Sequence, residues 1–208
     1  MERNHAYSLV EILVAVAILA VLAIMAGTAV SAMTDRSETT QCLSNLRQIG
    51  AAVQLYTGDA NGRLPSSSHH RADDGSSLSW TNTLAAYLGT NFIGRCPAVP
   101  DHPAKVTYGW NDLLTDSTGA GIATAICRQP GTTIAVAELA TNQTSEHFHF
   151  RGAMRNGRLT ANQFRSFVNV EAHGKAANYL FVDGHVETIA WTEAQRRLAP
   201  VNSSFLNP

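Results

Sequence analysis

Charge is scarce in this sequence and evenly balanced: 15 Lys and Arg stand against 16 Asp and Glu in 208 residues, and only 15% of residues are charged. With no basic run or stripe, nothing favours nucleic acid as a partner. Cysteine is rare as well, and Cys42, Cys96 and Cys127 lack the close spacing of a zinc site. There is no Gly-x-Ser-x-Gly elbow, no Gly-rich phosphate loop and no His-Glu-x-x-His helix. The local signatures of serine hydrolases, phosphate binders and zinc peptidases are therefore missing, and no internal repeat is visible. The last absence is the most telling. Positions 12–33 contain neither a charged residue nor a proline.

As a helix rising about 1.5 Å per residue, that run is about 33 Å long, enough to cross a bilayer. Glu11 sits just before it. A carboxylate in such a helix costs up to about 2.5–3.5 kcal/mol at the bilayer centre and less near the interface. Glu11 is therefore a functional candidate that needs a partner. Two plainer readings compete. Val30-Ser31-Ala32 has the small-x-small form of a signal-peptidase site. Signal-peptide cores, however, run about 7–15 residues, do not open on a glutamate and follow a basic segment. An ordinary single-pass anchor is the other reading. Neither explains Glu11.

The segment Tyr7-Ser8-Leu9-Val10-Glu11-Ile12, behind the short polar leader Met1-Glu2-Arg3-Asn4-His5-Ala6, resembles the N-terminus of type IV prepilins and type II secretion pseudopilins. The resemblance implies that a prepilin peptidase cuts after Ala6 and N-methylates Tyr7, leaving Glu11 fifth in the mature chain. It also implies that Glu11 pairs with the N-terminal amine of a neighbouring subunit. Ala6 stands where the family usually has Gly, and Tyr7 where it usually has Phe. The implied partners are other pilin-like subunits, an inner-membrane assembly platform and the lipid bilayer. The implied location is the bacterial inner membrane, as a single-pass protein with a periplasmic head that joins a filament.

Beyond the apolar run, Leu43, Leu46, Ile49, Gly50, Val53 and Tyr56 recur at spacings of three and four, with Ser44, Asn45, Arg47, Gln48 and Gln54 on the other side. The pattern predicts one helix over 7–56, apolar all round in its first half and amphipathic in its second. It ends at Gly58-Asp59-Ala60-Asn61-Gly62, a cluster of turn formers. A polar, exposed segment follows at 66–77, then a short helix over 80–88 capped by Ser79 or Thr81. Strand-like runs occupy 132–139, 147–154, 166–170 and 177–182. Asp183-Gly184 predicts a tight hairpin with a type I′ turn into 185–189. A last helix is expected over 192–198, with Thr192 as N-cap and Pro200 beyond it. The expected layout is a leader at 1–6, a transmembrane or filament-core helix at 7–33, its amphipathic continuation at 34–58 and a head at 59–208. The fold class is α+β and pilin-like, a long helix packed on an antiparallel sheet.

A second resemblance lies in the head. From His173 to Asp183-Gly184 the chain matches the H-X9-DG motif of a prepilin-like subfamily. Cys42-Leu43-Ser44-Asn45-Leu46-Arg47-Gln48-Ile49-Gly50, Cys96-Pro97 and Tyr108-Gly109-Trp110-Asn111 also resemble that subfamily, in order. The resemblance implies a pseudopilin-like, structural and non-enzymatic subunit, and no settled chemistry for the motif. Read as residues, His173, Asp183 and His185, with His147 and His149 alternating on one strand, could converge on zinc. For calcium, the oxygen donors Asp183, Asn178 and Glu187 are few. The plainer reading is that Asp183 and Gly184 shape the turn and His173 bonds backbone carbonyls. No cofactor is expected, and a divalent ion near His173 and Asp183 defines the alternative: an anchored or secreted binding protein. If the head lies outside the cytoplasm, one disulfide can form. Cys42 with Cys96 is the preferred pair, because Cys96 opens a Cys-Pro turn that could lie against the helix. Three small buried or free residues are the alternative.

Overall fold

The computed structural model describes residues 8–67, 79–89 and 94–208, with backbone only for 26–32. The leader, the processing position Ala6–Tyr7 and most of the polar segment 66–77 lie outside the described residues. Contacts divide the chain into two units, Met1–Ser37 and Glu38–Pro208.

A single helix, α1 (Leu9–Asp59), crosses that boundary. In the first unit its described large apolar side chains, among them Leu9, Ile12, Leu13, Val16 and Leu19, are 50–79% exposed. Among the described residues, no helix is long and apolar enough to cross a membrane; the apolar side chains of this stretch are described up to Met25 and again at Met33.

In the second unit, α1 lies on a four-stranded antiparallel sheet. The strands are β1 (Tyr108–Trp110), β2 (Ile134–Glu138), β3 (Ala176–Phe181) and β4 (Val186–Ala190), in the order β1-β2-β3-β4. The α1 stripe Cys42, Leu46, Ile49, Ala52 and Val53 packs with Tyr108, Trp110, Val136 and Leu180 from one sheet face. Leu46, Ile49 and Val53 belong to the stripe anticipated from the spacing, but Asn45, expected on the polar side, is buried with them, its Nδ2 donating to Arg95 O at 3.0 Å and to the Tyr108 hydroxyl at 3.2 Å. The opposite face carries Ala137, Ala177, Tyr179, Phe181 and Ile189 and is covered by Phe148, Phe150, Phe164, Leu198 and Phe205. With both faces covered, every residue of β2 is buried. That explains its unbroken apolar run Ile134-Ala135-Val136-Ala137.

The covering layer departs from expectation. Segments 147–154 and 166–170 are not strands. The first makes one bridge, His147 with Trp110, and then turns into α4 (Phe150–Ala153). The second falls at the end of α5 (Ala161–Phe167), whose N-terminus is closed by a Thr160–Gln163 capping box. Phe148 and Phe150 alternate toward the core because a connecting segment, not a paired strand, crosses the sheet face. The helix expected over 80–88 is split at Leu84 into α2 (Trp80–Thr83), capped by Ser79, and α3 (Ala85–Leu88). The last helix, α6 (Trp191–Leu198), begins one residue early, with Ala190 rather than Thr192 at the cap.

Candidate functional site

At the start of α1, Ser8 accepts the first backbone hydrogen bonds, from Glu11 N at 3.0 Å and Ile12 N at 3.2 Å. Ser8 and Glu11 thus hold the N-cap and third helical positions, the sequence pattern of a capping box. Glu11 lies in the first turn, where the helix dipole favours a negative charge. Local helix chemistry therefore favours Glu11, but it supplies no opposite charge.

In the head, His173 precedes β3 and its side chain is 2% exposed. Nε2 lies 2.8 Å from Oε1 of Glu138, whose side chain is fully buried at the end of β2. Nδ1 lies 3.2 Å from Thr39 Oγ1 on α1. The second carboxylate oxygen accepts the Asn178 backbone N–H at 3.0 Å, and Asn178 Oδ1 accepts from Thr188 Oγ1 at 2.7 Å. Cys42 and Cys96 are joined by a disulfide, and Cys96 Sγ lies 3.8 Å from His173 Nε2. Burial, reinforced by the Glu138 charge, raises the Tyr108 and Tyr179 phenols well above their ordinary range. His173 therefore bonds an acid rather than the backbone carbonyls expected of its side chain.

Asp183 and Gly184 follow β3 at its other end. The structure does not bring Asp183 together with His173. Asp183 Oδ1 accepts from His185 N at 3.1 Å and bonds His185 Nδ1 at 2.6 Å, and the His185 ring stacks on Phe181 at 4.3 Å. The turn is not type I′, which needs positive φ at both central residues. Only Gly184 has it, at 93°. The loop runs from Phe181 to His185, one residue longer, with Gly184 N donating to Phe181 O at 2.9 Å and Phe181 N to His185 O at 2.9 Å.

The two ends of the motif meet two levels of α1. His173 reaches Thr39, while Gln54 Nε2 donates to Val182 O at 3.0 Å beside the Gly184 turn. β3 covers about 20 Å and the helix from Thr39 to Gln54 about 22 Å, so the motif brackets one strand along one helix.

A family model described as the prokaryotic N-terminal methylation motif matches residues 1–27. The chain carries a prepilin-type N-terminus. Comparison with curated proteins and with solved structures gives no match. The match lies within the first unit of this prepilin-like chain, so the His173 cluster and the 173–184 motif fall outside it.

Other anticipated residues of the prepilin-like chain are placed as follows. The His147 and His149 rings meet edge to face at 4.9 Å, off any strand. Cys127 is buried, with Sγ 3.6 Å from Thr133 Oγ1. The oxygens considered for calcium are separately engaged: Glu187 pairs with Arg197 at 2.8 Å, Asn178 bonds Glu138 and Thr188, and Asp183 holds the turn. Asp59–Gly62 ends α1, with Asn61 at φ 53° and Gly62 at φ 77°. Glu138 and Thr39 were missed. The one signal for Glu138 was an acid inside an otherwise apolar strand, the same anomaly that exposed Glu11.

Proposed function

We propose that this prepilin-like chain is a structural, non-enzymatic subunit of a type II secretion pseudopilus or a type IV pilus-like filament. Prepilin peptidase cuts between Ala6 and Tyr7 and methylates the new amine. The 7–33 segment first anchors the chain in the inner membrane with the head on the periplasmic side, then bundles with other subunits on the assembly platform. Glu11 offsets the Tyr7 amine of a neighbour. An unpaired carboxylate in an apolar bundle is costly, and an ammonium partner removes most of that cost.

One observation carries this reading: the methylation-motif match covers a helix start where Glu11 is followed by an exposed, uninterrupted apolar surface. A surface of this size without charge is seldom left uncovered in water. The test is Glu11→Leu, expressed in the native host. The variant is expected to insert and be processed but not to enter filaments. Normal filaments from it would overturn the reading. A divalent ion shared by His173 and Asp183 draws no support from their separation at opposite ends of β3.

A further inference from the structure

Nothing in the filament reading uses the buried group formed around Cys42 in the second half of α1. Four side chains from four different segments meet there: Cys42 from α1, Cys96 from the turn before Pro97, Glu138 from β2 and His173 from the turn before β3. Their ligand atoms, two Sγ, one imidazole nitrogen and one carboxylate oxygen, all lie within 4.8 Å of one another. We propose that, when the Cys42–Cys96 disulfide is reduced, these four residues form a tetrahedral zinc site.

The donor set suits zinc, which takes thiolate, imidazole and carboxylate in four-coordinate sites. Bonds of about 2.3 Å to sulfur and about 2.0–2.2 Å to nitrogen and oxygen place the ligands about 3.4–3.8 Å apart. Cys96 Sγ and His173 Nε2 already stand 3.8 Å apart. Opening the disulfide lets the sulfurs separate, and His173 and Glu138, now 2.8 Å apart, need to part by about half an ångström to admit the ion.

The surrounding bonds fit the same assignment. Thr39 Oγ1, 3.2 Å from Nδ1, can accept its proton and leave Nε2 free as a ligand. The Asn178 backbone N–H holds Oε2 of Glu138 at 3.0 Å, and Oε1 is the oxygen turned to His173. Such outer partners orient metal ligands.

The disulfide and the metal exclude each other. A dithiol reductant delivers two electrons and two protons to the S–S bond as it closes to its own disulfide, giving two thiols. Zinc then displaces both thiol protons, and Nε2 binds with its lone pair. A two-electron oxidant reverses the sequence and releases the ion. The same cavity thus has an oxidised form held by a covalent bond and a reduced form held by a metal.

The test uses the full chain in detergent, oxidised or reduced anaerobically with a phosphine, and titrated with cobalt(II) and zinc(II). The expected result is one cobalt per reduced chain, with tetrahedral d–d absorption and a thiolate charge-transfer band. The oxidised chain should take up none, and zinc should displace the cobalt. His173→Gln and Cys96→Ser should abolish the bands, Cys127→Ser should leave them, and Thr39→Val should weaken binding by about 10–100-fold. Because the reduced chain can lose its fold, thermal unfolding is followed with and without zinc. Zinc is expected to raise the midpoint of the reduced wild type but not of His173→Gln. A reduced chain that neither binds cobalt through thiolate nor gains stability from zinc would overturn the proposal, as would unchanged bands in His173→Gln.

Discussion

Gly50 of α1 and Gly184 of the β3–β4 turn meet with no side chain between them. A Cβ on Gly50 would stand 3.1 Å from the Gly184 carbonyl oxygen and 2.8 Å from Leu180 Cδ1. Alanine at position 50 would gain up to about 1 kcal/mol of helix propensity, so Gly50 is there for proximity rather than for the helix. Gly50→Val is expected to destabilise the fold by about 1–3 kcal/mol through overpacking. Denaturant unfolding of the full chain in detergent checks this. Unchanged stability would show that helix and hairpin do not meet here.

The His173–Glu138 contact gives a larger effect. Removing the imidazole leaves a buried carboxylate whose Oε1 keeps the long contact with Asn178 Nδ2, at 3.4 Å. His173→Ala is expected to cost about 3–5 kcal/mol, as when one partner of a buried pair is lost. The double variant His173→Ala with Glu138→Gln should recover part of that loss. A double-mutant cycle with no coupling would contradict the pairing.

The Cys42–Cys96 bond closes a span of 54 residues between α1 and the segment before β1. Chain-entropy reasoning assigns a cross-link of this length about 4 kcal/mol. Replacing both cysteines by Ser is expected to lower stability by about 2–4 kcal/mol while the sheet remains. The measurement is the unfolding midpoint beside the far-ultraviolet circular dichroism spectrum.

Asp112 sets a pH dependence of unusual sign. Its carboxylate accepts the Phe150 and Arg151 backbone N–H groups at 3.1 and 3.0 Å, yet burial outweighs them and pushes its pKa up to about 6. The folded state therefore holds this proton more tightly than the unfolded chain. Its contribution favours folding at low pH and is lost as pH rises from about 4 through 6. The stability of wild type relative to Asp112→Asn is expected to fall by about 2–3 kcal/mol between pH 4 and pH 7. A flat difference would contradict it.

The helix was the most legible element, because its spacing persists over many turns and its end is marked by Asp59–Gly62. The β3–β4 hairpin was legible from Asp183-Gly184, although the turn type was not: dihedral choice there depends on Asp183 bonding His185. The covering layer was hidden. His147-Phe148-His149-Phe150 alternates like a strand over too few residues to distinguish pairing from a crossing loop, and β1, only three residues long, has no period at all. The His173 cluster was partly visible. The motif pointed to His173, but its partners lie 35 and 134 positions away at Glu138 and Thr39, and local spacing cannot record such a meeting.

The central claim concerns the other end of the chain, and it is tested by the N-terminus and intact mass of the protein recovered from membranes of its own host. Prepilin processing predicts a chain that begins at N-methylated Tyr7. A chain that still begins at Met1, or one that begins at Met33, would contradict it.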